Sequence, residues 1–331
     1  MRTLPNLAVI MPVLNEENHI LSAVNAILTQ EYAGRLKLVL ALGPSTDRTN
    51  EVVAEIQKLD PRILVVPNPS GRTPDALNAA IAATDESIIA RVDAHSELSE
   101  GYLANAVETL LRTGADNVGG IMAAEGKTLF ERAVATAMTS KLGVGAAAFH
   151  VGGNEGPADT VYLGVFLRSA LERVGGYDPS FTRAQDWEMN YRIRKSGGKV
   201  WFTPTLKVTY RPRSTVRALA KQYFQYGQWR RKVMREHPDT VKTFSAFRYF
   251  APPLAVTLIS LGLVIAVVGF ACATSHLTFW GLLPLTTYLI SILAASLFLA
   301  RKSGKAALYL PLALPVMHFS WGIGFLKSTK N

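Results

Sequence analysis

A chain of 331 residues has room for one catalytic domain of about 250 residues with an appendage, or for two smaller domains. With 49% hydrophobic and 18% charged residues it has ample apolar surface to bury, which excludes a disordered chain. Its one cysteine excludes a disulfide framework and a zinc ribbon. The net charge of +10 is unevenly placed: residues 1–189 hold 15 basic against 23 acidic side chains, residues 190–250 hold 15 against 2, and residues 251–331 hold 5 against none. An acidic body, a basic collar and a segment without carboxylates suit a membrane surface better than a nucleic acid, so no nucleic-acid partner is expected.

In chain order, the apolar run 7–11, closed by Pro12, predicts a buried strand, and 16–30 shows helical spacing through Ile20, Val24 and Ile27. The unit then repeats, with strands expected at 36–42, 63–66 and 87–92 and helices at 49–58 and 74–83. Strand and helix alternating at this interval predict an α/β domain with a parallel sheet covered on both faces, and a ligand site beyond the carboxyl ends of the strands. No Gly-x-Gly-x-x-Gly follows the first strand and no P-loop sequence occurs, which removes the main support for a dinucleotide enzyme or a P-loop NTPase.

Beyond residue 250, the uncharged stretches 251–273 and 279–300 are each long enough to cross ~30 Å of hydrocarbon at ~1.5 Å per residue. A third, 306–326, carries Pro311 and Pro315 and is expected to be kinked, re-entrant or broken. The loop Arg301-Lys302-Ser303-Gly304-Lys305 is basic and the loop at 274–278 is uncharged, which places the former, and the large N-terminal domain with it, in the cytoplasm. No signal peptide is expected at the start of the chain. The expected division is a catalytic domain at 1–212, a basic amphipathic interfacial segment at 213–250 and a membrane domain of two to three helices at 251–331.

Four motifs carry chemistry. Pro12-Val13-Leu14-Asn15-Glu16 follows the first strand and Arg91-Val92-Asp93-Ala94-His95 the fourth. Asp93 and His95 offer a hard oxygen and an imidazole nitrogen that can share one divalent cation on a diphosphate, although such a triplet also makes a capped turn. Gln185-Asp186-Trp187-Glu188 enters a helix, where Asp186 is either a cap or a general base that takes the proton of an attacking hydroxyl. Finally, residues 222–232 interleave aromatic and cationic side chains, as an interfacial anchoring helix does.

Taken together, Pro12-x-x-Asn15-Glu16, Ser45-Thr46-Asp47-Arg48-Thr49, Asn78, Asp93-Ala94-His95, Asp186-Trp187-Glu188 and Gln225-Tyr226-Gly227-Gln228-Trp229 resemble the family 2 glycosyltransferases with a GT-A fold. Within that family the likeness is to the membrane-anchored bacterial enzymes of exopolysaccharide assembly, the succinoglycan ExoA-like type, and it covers residues 5–240 and the C-terminal membrane segments. The resemblance implies a GT-A catalytic domain, Rossmann-like with a mostly parallel sheet, followed by transmembrane helices. It implies an inverting hexosyltransferase that moves a sugar from a nucleotide-sugar donor to a lipid-linked, polyprenyl-diphosphate acceptor in cell-surface polysaccharide biosynthesis. The enzyme would be multi-pass in the inner membrane with its catalytic face cytoplasmic, and a homo-oligomer is compatible with this. By position, Pro12, Glu16, Arg72, Asn78, Arg91 and Asp93 would bind the nucleotide sugar, and Asp93 with His95 would hold Mn or Mg. Asp186 would be the base with Glu188 as a second acid, and Gln225, Trp229, Arg230 and Arg231 would meet the acceptor or the diphosphate. Departures from the family pattern are Leu42-Gly43-Pro44 where relatives carry paired aspartates, His95 where they carry a second metal-binding aspartate, which favours Mn, and Gln185 and Gln228 in the last two motifs. Two other readings are a polyprenyl-monophosphate glycosyltransferase and a non-catalytic membrane scaffold.

Overall fold

The computed structural model describes residues 3–242 and 248–327. Residues 1–2, 243–247 and 328–331, one stretch in each of the three expected domains, lie outside the described residues. The elements run β1 (Leu7–Val13), α1 (Ile20–Leu28), β2 (Leu36–Leu42), α2 (Thr49–Leu59), β3 (Ile63–Pro67), α3 (Thr73–Ala82), β4 (Ile88–Arg91), β5 (Glu97–Leu98), α4 (Tyr102–Thr113) and β6 (Asn117–Ala124). They continue with α5 (Leu129–Met138), α6 (Lys141–Val144), α7 (Ala148–Val151), β7 (Gly156–Pro157), β8 (Tyr162–Leu167), α8 (Arg168–Arg173), α9 (Gln185–Lys195), β9 (Val200–Tyr210), α10 (Val216–Glu236), α11 (Ala251–Ala271), α12 (Ser275–Ser303) and α13 (Leu310–Leu326). The chain forms two compact units, Met1–Ala123 with Ala147–Tyr210, and Ala124–Ala146 with Arg211–Asn331.

In the first unit the strands join in the order β3-β2-β1-β4-β8-β6-β9-β5, with β7 on β9. The expected α/β sheet is present: β3, β2, β1 and β4 are parallel, and the later strands extend the sheet by antiparallel pairing. β1, and β2 apart from Lys37, are apolar because both faces are covered. Leu7, Val9, Met11 and Val13 join one core with Leu38 and Leu40, whereas Ile10, Val39 and Ala41 join the other with Leu77, Met189 and Phe202.

Two boundaries differ from expectation, for reasons of hydrogen bonding. Val92 N donates to Ile10 O and Gly43 N to Val13 O, so the even-numbered residues of β1 turn their polar groups toward β4 and the odd ones toward β2. Pro12, which lacks an N–H, therefore faces the side where pairing with β4 has already ended at Arg91, and β1 runs through it to Val13. At the next helix, His19 N and Ile20 N both donate to Glu16 O, closing a turn that delays α1 from the expected residue 16 to Ile20.

In the second unit, α11 and the run Ser275–Leu326 are each long and apolar enough to cross a membrane. Only 22% and 17% of their most apolar windows are buried, the reverse of a soluble core helix. In the third expected segment a 3-10 turn at Gly304–Tyr309 precedes α13, whose 17 residues reach about 25 Å; Pro311 sits in the first turn of α13 and Pro315 within the continuous helix. α13 lies along α10 with close backbone contact, because a side chain at Gly227 would strike the Trp321 carbonyl and one at Gly324 the Phe224 carbonyl. Gly262 of α11 and Gly281 of α12 meet in the same manner.

Candidate active site

Two loops form the floor beyond the parallel strands. Asn15 Oδ1 accepts from Thr46 N at 2.8 Å, Asn15 N donates to Ser45 Oγ at 3.1 Å, and Glu16 N donates to Thr49 Oγ1 at 2.7 Å. The loop after β1 is thus laced to the loop after β2. Asp47, expected only as part of a motif, works inside this lacing: it accepts the Thr49 hydroxyl and amide, and these bonds hold its carboxyl below the ordinary carboxylate range.

After β4 the chain turns tightly, with Ser96 N on Asp93 O at 2.9 Å. His95 Nδ1 lies 2.9 Å from Glu16 Oε1, so the residue expected beside the nucleotide instead holds the imidazole. That contact orients the ring as a carboxylate does in carboxylate–histidine–metal arrangements. Among the described residues no group of three or more His, Cys, Asp or Glu side chains could hold a metal ion. Asp93 and His95 alone supply two side chains, fewer than such a group needs.

The centre of the site is Arg91. Its side chain is 6% exposed, with Nε and Nη2 donating to Asp93 Oδ1 at 3.2 and 3.1 Å and Nη1 to Asp186 Oδ1 at 2.6 Å. The two acidic motifs, far apart in sequence, thus converge on one guanidinium. Burial works against the charge on Arg91, but Asp186 and Asp93 outweigh it and its pKa rises. Burial raises the Asp186 carboxyl above the ordinary aspartate value; Arg91 pulls it down, Asp93 pushes it up, and the Leu163 N–H pulls it down. Tyr162 and Tyr177 lie in the same field, both raised chiefly by burial.

The supports of Asp186 are visible in α9. Asn117 Nδ2 donates to Asn190 Oδ1 at 2.6 Å and Asn190 Nδ2 to Thr160 Oγ1 at 3.1 Å, pinning the helix to the sheet. Both oxygens of Glu188 accept from Arg192 at 2.6 Å, and the residue is buried, so the expected second acid is instead taken up in an ion pair within its helix. Asn78 also differs from expectation: its amide accepts from Tyr177 N at 2.8 Å and donates to Tyr177 O at 2.7 Å, clamping a backbone rather than facing open space. Arg72 pairs with Asp75 at 2.7 Å on the first turn of α3. Among the described residues of this unit, three non-glycine residues hold a left-handed backbone: Asn15 in the floor, Leu163 whose N–H meets Asp186, and Ala184 at the start of α9. Strain gathered in this way is characteristic of functional sites.

Gln225, Trp229, Arg230 and Arg231 belong to the second unit, on α10. Arg231 Nη1 donates to Phe325 O and Leu326 O, capping α13, and Arg230 lies 4.1 Å over the Tyr249 ring. Trp229 carries Lys232 5.0 Å over its ring, and Gln225 is half-buried.

Residues 8–175 match the family model described as glycosyl transferase family 2. The chain belongs to this family. This glycosyltransferase is 31% identical over 324 residues to the succinoglycan biosynthesis protein ExoA of Rhizobium meliloti, covering 96% of this chain and 93% of that one. It is 24% identical over 281 residues to a dolichyl N-acetyl-α-D-glucosaminyl phosphate 3-β-D-2,3-diacetamido-2,3-dideoxy-β-D-glucuronosyltransferase of Methanococcus voltae, covering 82% of this chain and 87% of that one. The mannosyltransferase PcManGT of Pyrobaculum calidifontis, solved with GDP-Man and Mn²⁺, shares the fold with a TM-score of 0.63 and 20% identity over 98% of this chain and 87% of that one.

What sequence reading missed is the pairing. One signal was present: a lone arginine ending the apolar run Ile88-Ile89-Ala90-Arg91-Val92 has to be paired if its strand is buried.

Proposed function

We propose that this glycosyltransferase moves a sugar, with inversion, from a nucleotide-sugar donor to a lipid-linked acceptor carrying polyprenyl diphosphate, in cell-surface polysaccharide biosynthesis. The observation that carries the reading is the convergence of Asp93 and Asp186 on Arg91. The relatives support its coarser part, a glycosyltransferase of polysaccharide biosynthesis with a lipid-linked acceptor: one is named for succinoglycan biosynthesis, and the other acts, by its name, on a sugar carried by dolichyl phosphate. Asp186 takes the proton of the acceptor hydroxyl as that oxygen bonds to the anomeric carbon. The bond from that carbon to the diphosphate oxygen breaks, and the electron pair leaves with the nucleoside diphosphate. A divalent cation, Mn or Mg, held by Asp93 and His95 would neutralise charge on that diphosphate. Glu16 keeps the His95 ring turned, and the laced loops at 15–17 and 45–49 hold the donor floor rigid. In this reading Arg72 would meet the donor, and Gln225, Trp229 and Arg230 the acceptor.

The division into a catalytic domain at 1–212, an interfacial segment at 213–250 and a membrane domain at 251–331 belongs to the same proposal, as does multi-pass placement in the inner membrane with the catalytic face cytoplasmic. The apolar helices, the basic collar and the basic loop at 301–305 support it. The test is release of nucleoside diphosphate by the purified chain from a panel of nucleotide sugars, with Mn or Mg, with and without membrane lipid extract. Release should depend on lipid, and the product should keep a diphosphate link; a product with a monophosphate link would move the acceptor to the other lipid class. Asp186→Asn should lower turnover by about 10² to 10⁴ with donor binding retained. Full turnover in that variant removes Asp186 from the reaction.

A further inference from the structure

Arg91 stands at the end of a strand paired on both sides, with β1 and with β8, an address at which a guanidinium has to be fully satisfied. It sends three N–H bonds to two carboxylates, one two residues away and the other 95 residues away. The Tyr177 ring lies 5.9 Å from its Cζ, and Tyr177 is itself gripped through its backbone by Asn78. A series of fixed groups thus runs from α3 through Tyr177 to Arg91, and from Arg91 to both acids. Only a planar fork can serve two carboxylates in this way, since a lysine brings the charge without the geometry.

We propose that Arg91 is a positioning residue of the transfer: anchored on Asp93 through Nε and Nη2, it uses Nη1 to hold Asp186 where its carboxylate meets the acceptor hydroxyl. The inference rests on the reading of Asp186 as base and replaces the expected contact of Arg91 with the nucleotide sugar. It makes the donor-side acid the anchor for the acceptor-side acid, so the two halves of the reaction share one rigid strut.

The test uses the full chain in detergent, with Arg91→Lys, Arg91→Met, Asp186→Asn and the two double variants. Without substrate, Arg91→Met leaves two carboxylates facing each other and should lower Tm by about 5 °C or more, and adding Asp186→Asn should restore at least half of that loss. No recovery overturns the pairing. With the nucleotide-sugar panel and lipid extract, Arg91→Lys, which keeps the charge, should lower kcat about 10²-fold while donor KM stays within about threefold. The Arg91→Lys, Asp186→Asn pair should be no slower than Asp186→Asn alone, because both changes strike one group. A raised donor KM with unchanged kcat, or losses that multiply in the double variant, overturns the proposal while the base survives. Full activity in Asp186→Asn sinks the base, and the proposal with it.

Discussion

At Asp186 two forces compete. Removal from water favours the neutral carboxylic acid, the Arg91 guanidinium 2.6 Å away favours the carboxylate, and burial prevails, leaving the group above the 3.8 of an ordinary aspartate. A base has to be ionised, so the acidic limb of kcat should lie above that value, and Asp186→Asn should abolish the limb along with most of the rate. The linkage to stability has the matching sign: a carboxyl raised in the folded state contributes stability below its unfolded value and loses it as pH rises through the folded one. A kcat profile flat down to the ordinary aspartate value would show that another group takes the proton. The acids themselves were legible as short motifs. Their partners were not, because Arg91 finds Asp186 across 95 residues and Asn78 finds Tyr177 across 99, separations at which a single sequence holds no pairing information.

Among the elements, apolar runs of fixed length announced β1, β2 and the long C-terminal helices: burial on both faces leaves β1 without a charge and β2 with Lys37 alone, and α11 and the run Ser275–Leu326 are long and apolar enough to cross a membrane. The later strands were silent. β6 and β8 pair with a register shift between Val118 and Gly120, and short, irregular antiparallel strands leave no clean alternation to read. The prolines told less about the third apolar segment: Pro311 suits the first turn of α13, but Pro315 lies within the continuous helix and the 3-10 turn precedes both. What they could not tell is that α13 would lie against α10, an association that depends on Gly227 and Gly324. Gly227→Leu should force the two backbones apart, lowering Tm in detergent by about 5 °C or more. An unchanged melt would mean that the helices separate without cost.

Across the whole chain, charge segregation told more than any motif. Absence of acids after residue 250 and a surplus of bases just before it are the charge pattern on which the proposed membrane placement rests. If α11 and α12 span the bilayer, 1 M salt should leave the chain in the membrane fraction, because screening removes attraction to anionic headgroups and not apolar burial. Release by salt would reduce the association to the basic collar. The second unit also takes in 124–146, so its α5, with a Thr128–Glu131 capping box, is folded with helices about 155 to 185 residues later in the chain, an organisation that no local pattern encodes. One consequence concerns thermal selection. Ala184 adopts φ 59° immediately before the helix that bears Asp186, a conformation that costs an L-residue about 1 kcal/mol and glycine almost nothing. Ala184→Gly should therefore survive heating better, melting about 2–4 °C higher, yet turn over more slowly as the start of that helix slackens. Heat-tolerant descendants of this enzyme should accumulate glycine there only where speed is no longer under selection.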